Sequence, residues 1–202
     1  MTVLRLAAAA CAALALGACA IGKPIPHANT YVVEPPQPAP AATRRPETLR
    51  MGNVRVAPAF DGRALVYRLG EVQYTEDFYN SFIAEPGALL GSKMAAWLDR
   101  AGPFQAVAQP GAPLPASHVL DAVVTELYGD FRPDQPPAAV MTIQFSLVDL
   151  RGVRPRAALE RSIGRRIRLA EDSPDALVQG YGQALGEILA ELAPQLAGES
   201  GK

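Results

Sequence analysis

The stretch Ala139-Val140-Met141-Thr142-Ile143-Gln144-Phe145-Ser146-Leu147-Val148-Asp149 decides the fold class. Met141, Ile143, Phe145 and Leu147 alternate with Thr142, Gln144 and Ser146. A period of two marks a strand with one face buried and the other wet. Such a strand belongs with antiparallel neighbours, because all-parallel sheets are covered on both faces and read as unbroken apolar runs. Upstream, Val119 to Tyr128 is apolar on both sides, with Leu120, Ala122 and Val124 opposed to Val119, Val123 and Leu127. Turn residues Gly129-Asp130 and Pro136-Pro137 join the two segments. Downstream, Arg151-Gly152 turns the chain again, and Leu159, Ile163, Ile167 and Leu169 mark the third strand of a meander.

Working outward, Ser173-Pro174-Asp175 opens a helix with a cap, a proline at the first position and a carboxylate for the dipole. Its buried stripe is Leu177, Tyr181, Leu185, Ile188 and Leu192, and Pro194 is expected to stop it. Gly180, Gly182 and Gly186 each weaken helix propensity by ~1 kcal/mol relative to alanine, which predicts close packing, here on the sheet. An earlier helix starts at Glu85-Pro86, carries Leu90, Met94, Trp97 and Leu98 on one face, and ends at Gly102-Pro103. Trp97 reads as core, and Phe104 to Ala108 as a short strand. The first strand spans Leu49 to Phe60, with a bulge at Gly52 where the apolar parity changes. After the turn at Asp61-Gly62, Leu65 to Thr75 is expected to return as its hairpin partner. The sum is a single α+β domain over residues 49–197, a mainly antiparallel sheet with two amphipathic helices on one face, and a frayed tail at 198–202.

At the N-terminus, Arg5 precedes an apolar run from Leu6 to Leu16. That run is too short to span a ~30 Å hydrocarbon core and reads as the centre of a signal peptide, residues 1–18. Leu16-Gly17-Ala18-Cys19 resembles a bacterial lipobox, which makes Cys19 the lipidation site. The alternative is an ordinary secretory cut at Ala18 or Ala20. Cys11 lies in the discarded peptide, so the mature chain has no disulfide. Prolines at 24, 26, 35, 36, 38, 40 and 46 make residues 19–48 an extended spacer, interrupted where Tyr31-Val32-Val33 adds a short edge strand.

The 202 residues carry a formal charge of −1, without the basic excess that nucleic acid demands. His27 and His118 are the only histidines; no cluster has metal-ligand spacing, and no cofactor motif is present. Asp121 and Glu126, five apart in one strand, point to opposite faces, while Asp121 and Asp149 can meet only across strands. The reading is a non-enzyme. Arg151, Arg154, Arg156, Arg161, Arg165, Arg166 and Arg168 crowd one turn and strand. They protect a sheet edge by charge, or they form a basic face for anionic lipid headgroups or an acidic partner.

Several of these pieces resemble the ABC-type transport auxiliary lipoprotein family, which includes the Pqi-type outer-membrane lipoprotein. They are the lipobox, Tyr31-Val32-Val33, Val54-Arg55-Val56-Ala57-Pro58, Phe60-Asp61-Gly62-Arg63, Leu65-Val66-Tyr67-Arg68 and Phe82-Ile83-Ala84-Glu85-Pro86. Members commonly carry tryptophan near Phe82, where this chain departs conservatively. The resemblance implies helices on one face of the sheet and service in envelope systems that move lipids, built from an ABC ATPase, a permease and an MCE substrate-binding protein. Its implied partners are the MCE component, the permease and ATPase, phospholipid, and the membrane through acyl chains, with no nucleic acid; a homo-oligomer is compatible. Ala20 after the cysteine agrees with sorting to the periplasmic face of the outer membrane over retention at the inner one. Contact residues expected on this reading are Arg161, Arg165, Arg166 and Arg168, with Asp61, Arg63 and Arg68 at the expected hairpin. The alternative is a structural or assembly lipoprotein for another outer-membrane component.

Overall fold

The computed structural model describes residues 27–113 and 115–198; the lipobox, Cys19 and residues 199–202 lie outside them. In chain order the elements are β1 (Asn29–Tyr31), β2 (Arg45–Val56), β3 (Ala64–Arg68), β4 (Tyr74–Phe82), α1 (Pro86–Ala101), β5 (Phe104–Ala108), β6 (His118–Asp130), β7 (Ala138–Asp149), β8 (Arg156–Arg168) and α2 (Pro174–Gly198). The class is α+β, with one eight-stranded mixed sheet.

β6 is the spine. Along one edge it pairs antiparallel with β7 over its whole length, from His118↔Asp149 to Asp130↔Ala138, and β7 passes the ladder on to β8. The long antiparallel ladders are therefore the meander read from the alternation of Met141 to Leu147. Two strands share β6's other edge, both parallel to it: β2 along its first half and β3 at Gly129 and Asp130. β5 extends the sheet beyond β2, and β4 then β1 extend it beyond β3.

This arrangement corrects the expected hairpin of residues 49–60 with 65–75. β2 and β3 never pair, because the loop after Val56 steps sideways along β6, with the Ala57 amide still donating to Val124 O at 2.8 Å. The hairpin is instead β3–β4, closed where the Leu69 amide donates to Gln73 O at 2.9 Å. The Gly52 bulge is present as read. Between Met51 and Val54 the register with β6 slips, so Leu49 and Met51 before it and Val54 and Val56 after it all reach the core.

Both helices cover one face. α1 buries Leu89, Leu90, Met94, Trp97 and Leu98, and α2 buries Leu177, Tyr181, Leu185, Ile188, Leu189 and Leu192, against Leu120, Met141, Ile143, Phe145 and Leu147. Each such aliphatic side chain contributes about 1.5–3 kcal/mol. Ser173 caps α2 as expected, its Oγ accepting from the Ala176 amide at 3.2 Å. Pro194 does not end α2, which continues to Gly198. The final turn is kept because Leu196 is fully buried and its carbonyl accepts from Arg45 Nη2 at 2.7 Å, a partner 151 residues away.

The spacer also needs correction in its described part. β1 pairs with β4, and the chain beyond it lies as a strap across both helices. Val33 and Pro35 are buried, Arg100 Nε donates to Pro38 O at 2.8 Å, and Glu34 forms an ion pair with Lys93. Two of the three helix glycines face this strap. A Cβ on Gly182 would lie 2.4 Å from Glu34 O and one on Gly186 would lie 3.0 Å from Pro36 Cδ, whereas Gly180 meets Ala139 of the sheet.

Candidate functional site

With both helices on one side, the opposite face of the sheet is open. Strand parity selects its side chains: Arg55 from β2, Asp121 and Val123 from β6, Gln144 and Ser146 from β7, Glu160 and Ser162 from β8. They line a shallow groove of about 550 Å³. A register slip between Val124 and Glu126 leaves Thr125 over and brings Glu126 onto the same face as Asp121, correcting the opposite-face expectation. Asp121 is already engaged. Its Oδ1 accepts the Asn53 amide at 2.7 Å and occupies the space that a side chain on Gly52 would need. Glu126 accepts from Thr142 Oγ1 at 2.6 Å. Asp121 stands opposite Ser146 and Asp149 opposite His118, so the two aspartates are not cross-strand partners.

At the β3 end the open face carries its own small aromatic cluster. Phe60 stacks on Tyr128 with ring centroids 5.7 Å apart, and Tyr74 meets Tyr128 edge-on at 5.5 Å. Val66 and Val140 are buried beneath them. Arg68 lies over this cluster, 5.7 Å from the Tyr74 ring, and donates to Gly70 O and Glu71 O. Arg63 donates to Phe82 O at 2.9 Å, which binds the loop to β4, and Asp61 is exposed on that loop.

The arginines of β8 do not form one basic face; parity sends them two ways. Arg161 and Arg165 point to the helix side, where Arg161 Nε donates to Gln195 Oε1 at 2.8 Å and Arg165 pairs with Glu187 and Glu191 of α2. Arg166 turns to the other side and, with Arg132, clasps the fully buried Asp130 at 2.6 and 2.7 Å. The bonds from Arg132, then those from Arg166, hold the Asp130 carboxyl well below the usual carboxylate range against the opposing effect of burial. Arg168 is exposed. Among the described residues β8 pairs only with β7, and its charges suit an edge strand guarded against pairing.

One partly buried constellation has the composition of a nucleophile triad. Ser117 Oγ lies 3.0 Å from His118 Nδ1, and His118 Nε2 lies 3.9 Å from Asp149 Oδ1. Its wiring is structural. Ser117 Oγ donates to Thr48 O at 2.9 Å and accepts the Thr48 amide at 3.1 Å, which fixes β2 to the start of β6. His118 is fully buried beside the Phe104 ring, and desolvation lowers its pKa against the pull of Asp149. Asp149 itself is held well below its ordinary range by hydrogen bonds from Arg151. The adjacency of Ser117 and His118 is visible in the sequence; their partners, Thr48 and Asp149, are not. Among the described residues no group of acidic, histidine or cysteine side chains is arranged to hold a metal ion, and no helix is long and apolar enough to cross a membrane.

A second feature has no counterpart in the sequence reading, where residues 76–81 belong to no expected element. Between Ala64↔Ser81 and Val66↔Glu76, two steps along β3 correspond to five along β4, so Asp77 to Asn80 bulge outward. Phe78 is 89% exposed and Tyr79 41% at its tip.

Comparison with known proteins places this geometry. The family described as "ABC-type transport auxiliary lipoprotein component" matches residues 31–193. The crystal structure of protein XCC0632 from Xanthomonas campestris is similar, with a TM-score of 0.71 at 15% identity, covering 83% of this chain and 95% of that one. A further solved structure, of an uncharacterized protein, gives a TM-score of 0.65 at 19% identity, covering 84% and 99% respectively. At these identities the two structures share the fold. No curated protein matches the sequence.

Proposed function

The chain belongs to the family of ABC-type transport auxiliary lipoprotein components, and on that premise we propose that it is a non-catalytic, lipid-anchored docking subunit of an envelope lipid-transport system. The acyl chains on Cys19 hold it at the periplasmic face of the outer membrane, and its domain binds the MCE component of the transporter. The observation that carries the docking role is the open sheet face. It is a broad surface of short polar side chains, Ser146, Ser162 and Gln144, bordered by charges of both signs, Arg55, Asp121 and Glu160. Such a surface suits a protein partner better than a small molecule, since its groove is shallow and wet. The arginines of β8 are a weaker choice of contact, because Arg161 and Arg165 are committed to α2 and Arg166 to Asp130.

Recovery of the acylated protein from its own envelope in mild detergent tests this reading. An MCE protein is expected to come with it. Ser146→Arg or Ser162→Arg, each at the centre of the groove, should cut that recovery roughly tenfold while leaving thermal unfolding unchanged. Recovery of a β-barrel protein in place of any transporter subunit would replace transport with assembly.

A further inference from the structure

From the bulge in β4 we infer a second, non-covalent membrane contact: Phe78 and Tyr79 form an aromatic wedge that seats in the lipid headgroup–acyl boundary beside the anchor. The inference rests on the acylation of Cys19 proposed above.

The wedge is built, not frayed. Asp77 Oδ1 accepts the amides of Tyr79 at 2.7 Å and Asn80 at 3.0 Å, and its Oδ2 accepts from Asn80 Nδ2 at 2.8 Å and from the Tyr67 hydroxyl. Burial alone would raise the Asp77 carboxyl, but these bonds hold it below its ordinary value. Its charge is thus spent inward. From Phe78 to Ala84 the chain then carries no charged side chain. The Phe78 and Tyr79 rings brace each other edge-on, 5.0 Å apart. Soluble surfaces do carry single exposed apolar residues, but a braced aromatic pair on a bulge whose one carboxylate is hydrogen-bonded inward marks a contact. Tyr79, with an apolar body and a polar tip, suits the membrane interface, and Phe78 beside it supplies apolar area to bury at the acyl boundary.

Position names the occupant. β1 lies against this part of β4, with Asn29 opposite Asn80 and Asn29 Nδ2 donating to Asn80 Oδ1 at 3.1 Å. The chain therefore arrives from its anchor next to the wedge. Nine residues lie between Cys19 and Asn29, ten steps along the chain. Fully extended they reach about 35 Å, and a coil reaches roughly half of that. Because the strap is docked on the helices, residues 32–44 add nothing to this length. The tether keeps the wedge within reach of the bilayer. Val32 and Ile83, 41% and 54% exposed, follow directly on the two paired strands, where the Ile83 amide donates to Tyr31 O, and add apolar surface there.

The test is Phe78→Trp in the full-length acylated protein, placed at one copy per nanodisc of phosphatidylethanolamine and phosphatidylglycerol with brominated acyl chains. Mass spectrometry of the N-terminal peptide first establishes acylation; its absence would remove the anchor itself and is read separately from the wedge. Trp97 is 8% exposed beneath the strap, so the unsubstituted protein supplies the reference signal. Quenching by the brominated lipid should dim the emission of the introduced indole roughly twofold and leave Trp97 nearly untouched. Tyr79→Ser combined with Phe78→Trp should weaken that quenching. An acylated, folded F78W protein whose added emission is not quenched overturns the inference. Shielding of the introduced indole that appears only when several copies share a disc also overturns it, in favour of contact between copies.

Discussion

Asp130 shows how one side chain ties three segments. It is fully buried, it stands at the end of β6, and its two guanidinium partners come from the following loop and from β8. Because its folded pKa lies below its unfolded value, the unfolded chain binds the proton first as pH falls through about 4. The stability it contributes is fully present above that range and is lost progressively as pH drops through the folded value. Asp149, held by Arg151, adds the same sign. So does His118: the fold keeps its imidazole neutral, and stability falls once pH drops below about 6.5, where the unfolded chain takes up the proton. Asp130→Asn should lower stability by about 2–3 kcal/mol at pH 7, as two charged hydrogen bonds lose their acceptor. It should also flatten, without abolishing, the acid slope. Urea midpoints between about pH 2 and pH 7 on both proteins measure this.

At the scale of elements, α2 is matched to the strap through Gly182. Gly182→Ala places a methyl 2.4 Å from Glu34 O, a backbone atom that cannot swing aside. The ~1 kcal/mol gained in helix propensity should be outweighed by the lost docking of residues 33–38, for a net loss of about 1–2 kcal/mol. Limited proteolysis should then cut within 36–44 faster than in the parent protein, where Arg100 holds the segment at Pro38 O and at the Ala41 amide. The need for glycine there is legible in the sequence; the partner is not, because a helix records that something is close and not what it is. Local features read well for the same reason. The cap at Ser173, Pro174 after it, the alternation from Met141 to Leu147 and the parity change at Gly52 each lie within a few residues of their cause. The hairpin of residues 49–60 with 65–75 failed because β2's partners in β6 begin at His118, far along the chain. The stop at Pro194 failed because its compensation comes from Arg45.

The whole molecule is organised about β6, paired on both edges and covered by helices, with elements of decreasing support outward from it. Amide exchange should follow that order, slowest in β6 and β7, where opening requires global unfolding, and fastest in β1 with its three paired residues. Hydrogen-exchange mass spectrometry resolves these segments. The candidate surfaces were less legible than the fold. The place of Glu126 on the open face depends on the register slip at Thr125, and the exposure of Phe78 depends on the bulge in β4, and neither leaves a periodic trace. The arginine-rich run was conspicuous, yet charge counting along a strand does not tell which side each guanidinium takes or what waits there. The strap has a last consequence, in mechanical terms. A pull on the N-terminal segment reaches the domain at β1 and must then strip Glu34 from Lys93 and Pro38 from Arg100 before any load arrives at β2. The strap is strain relief for the cable: force on that segment is spent on β1 and then on the strap, while β2 keeps its register on β6.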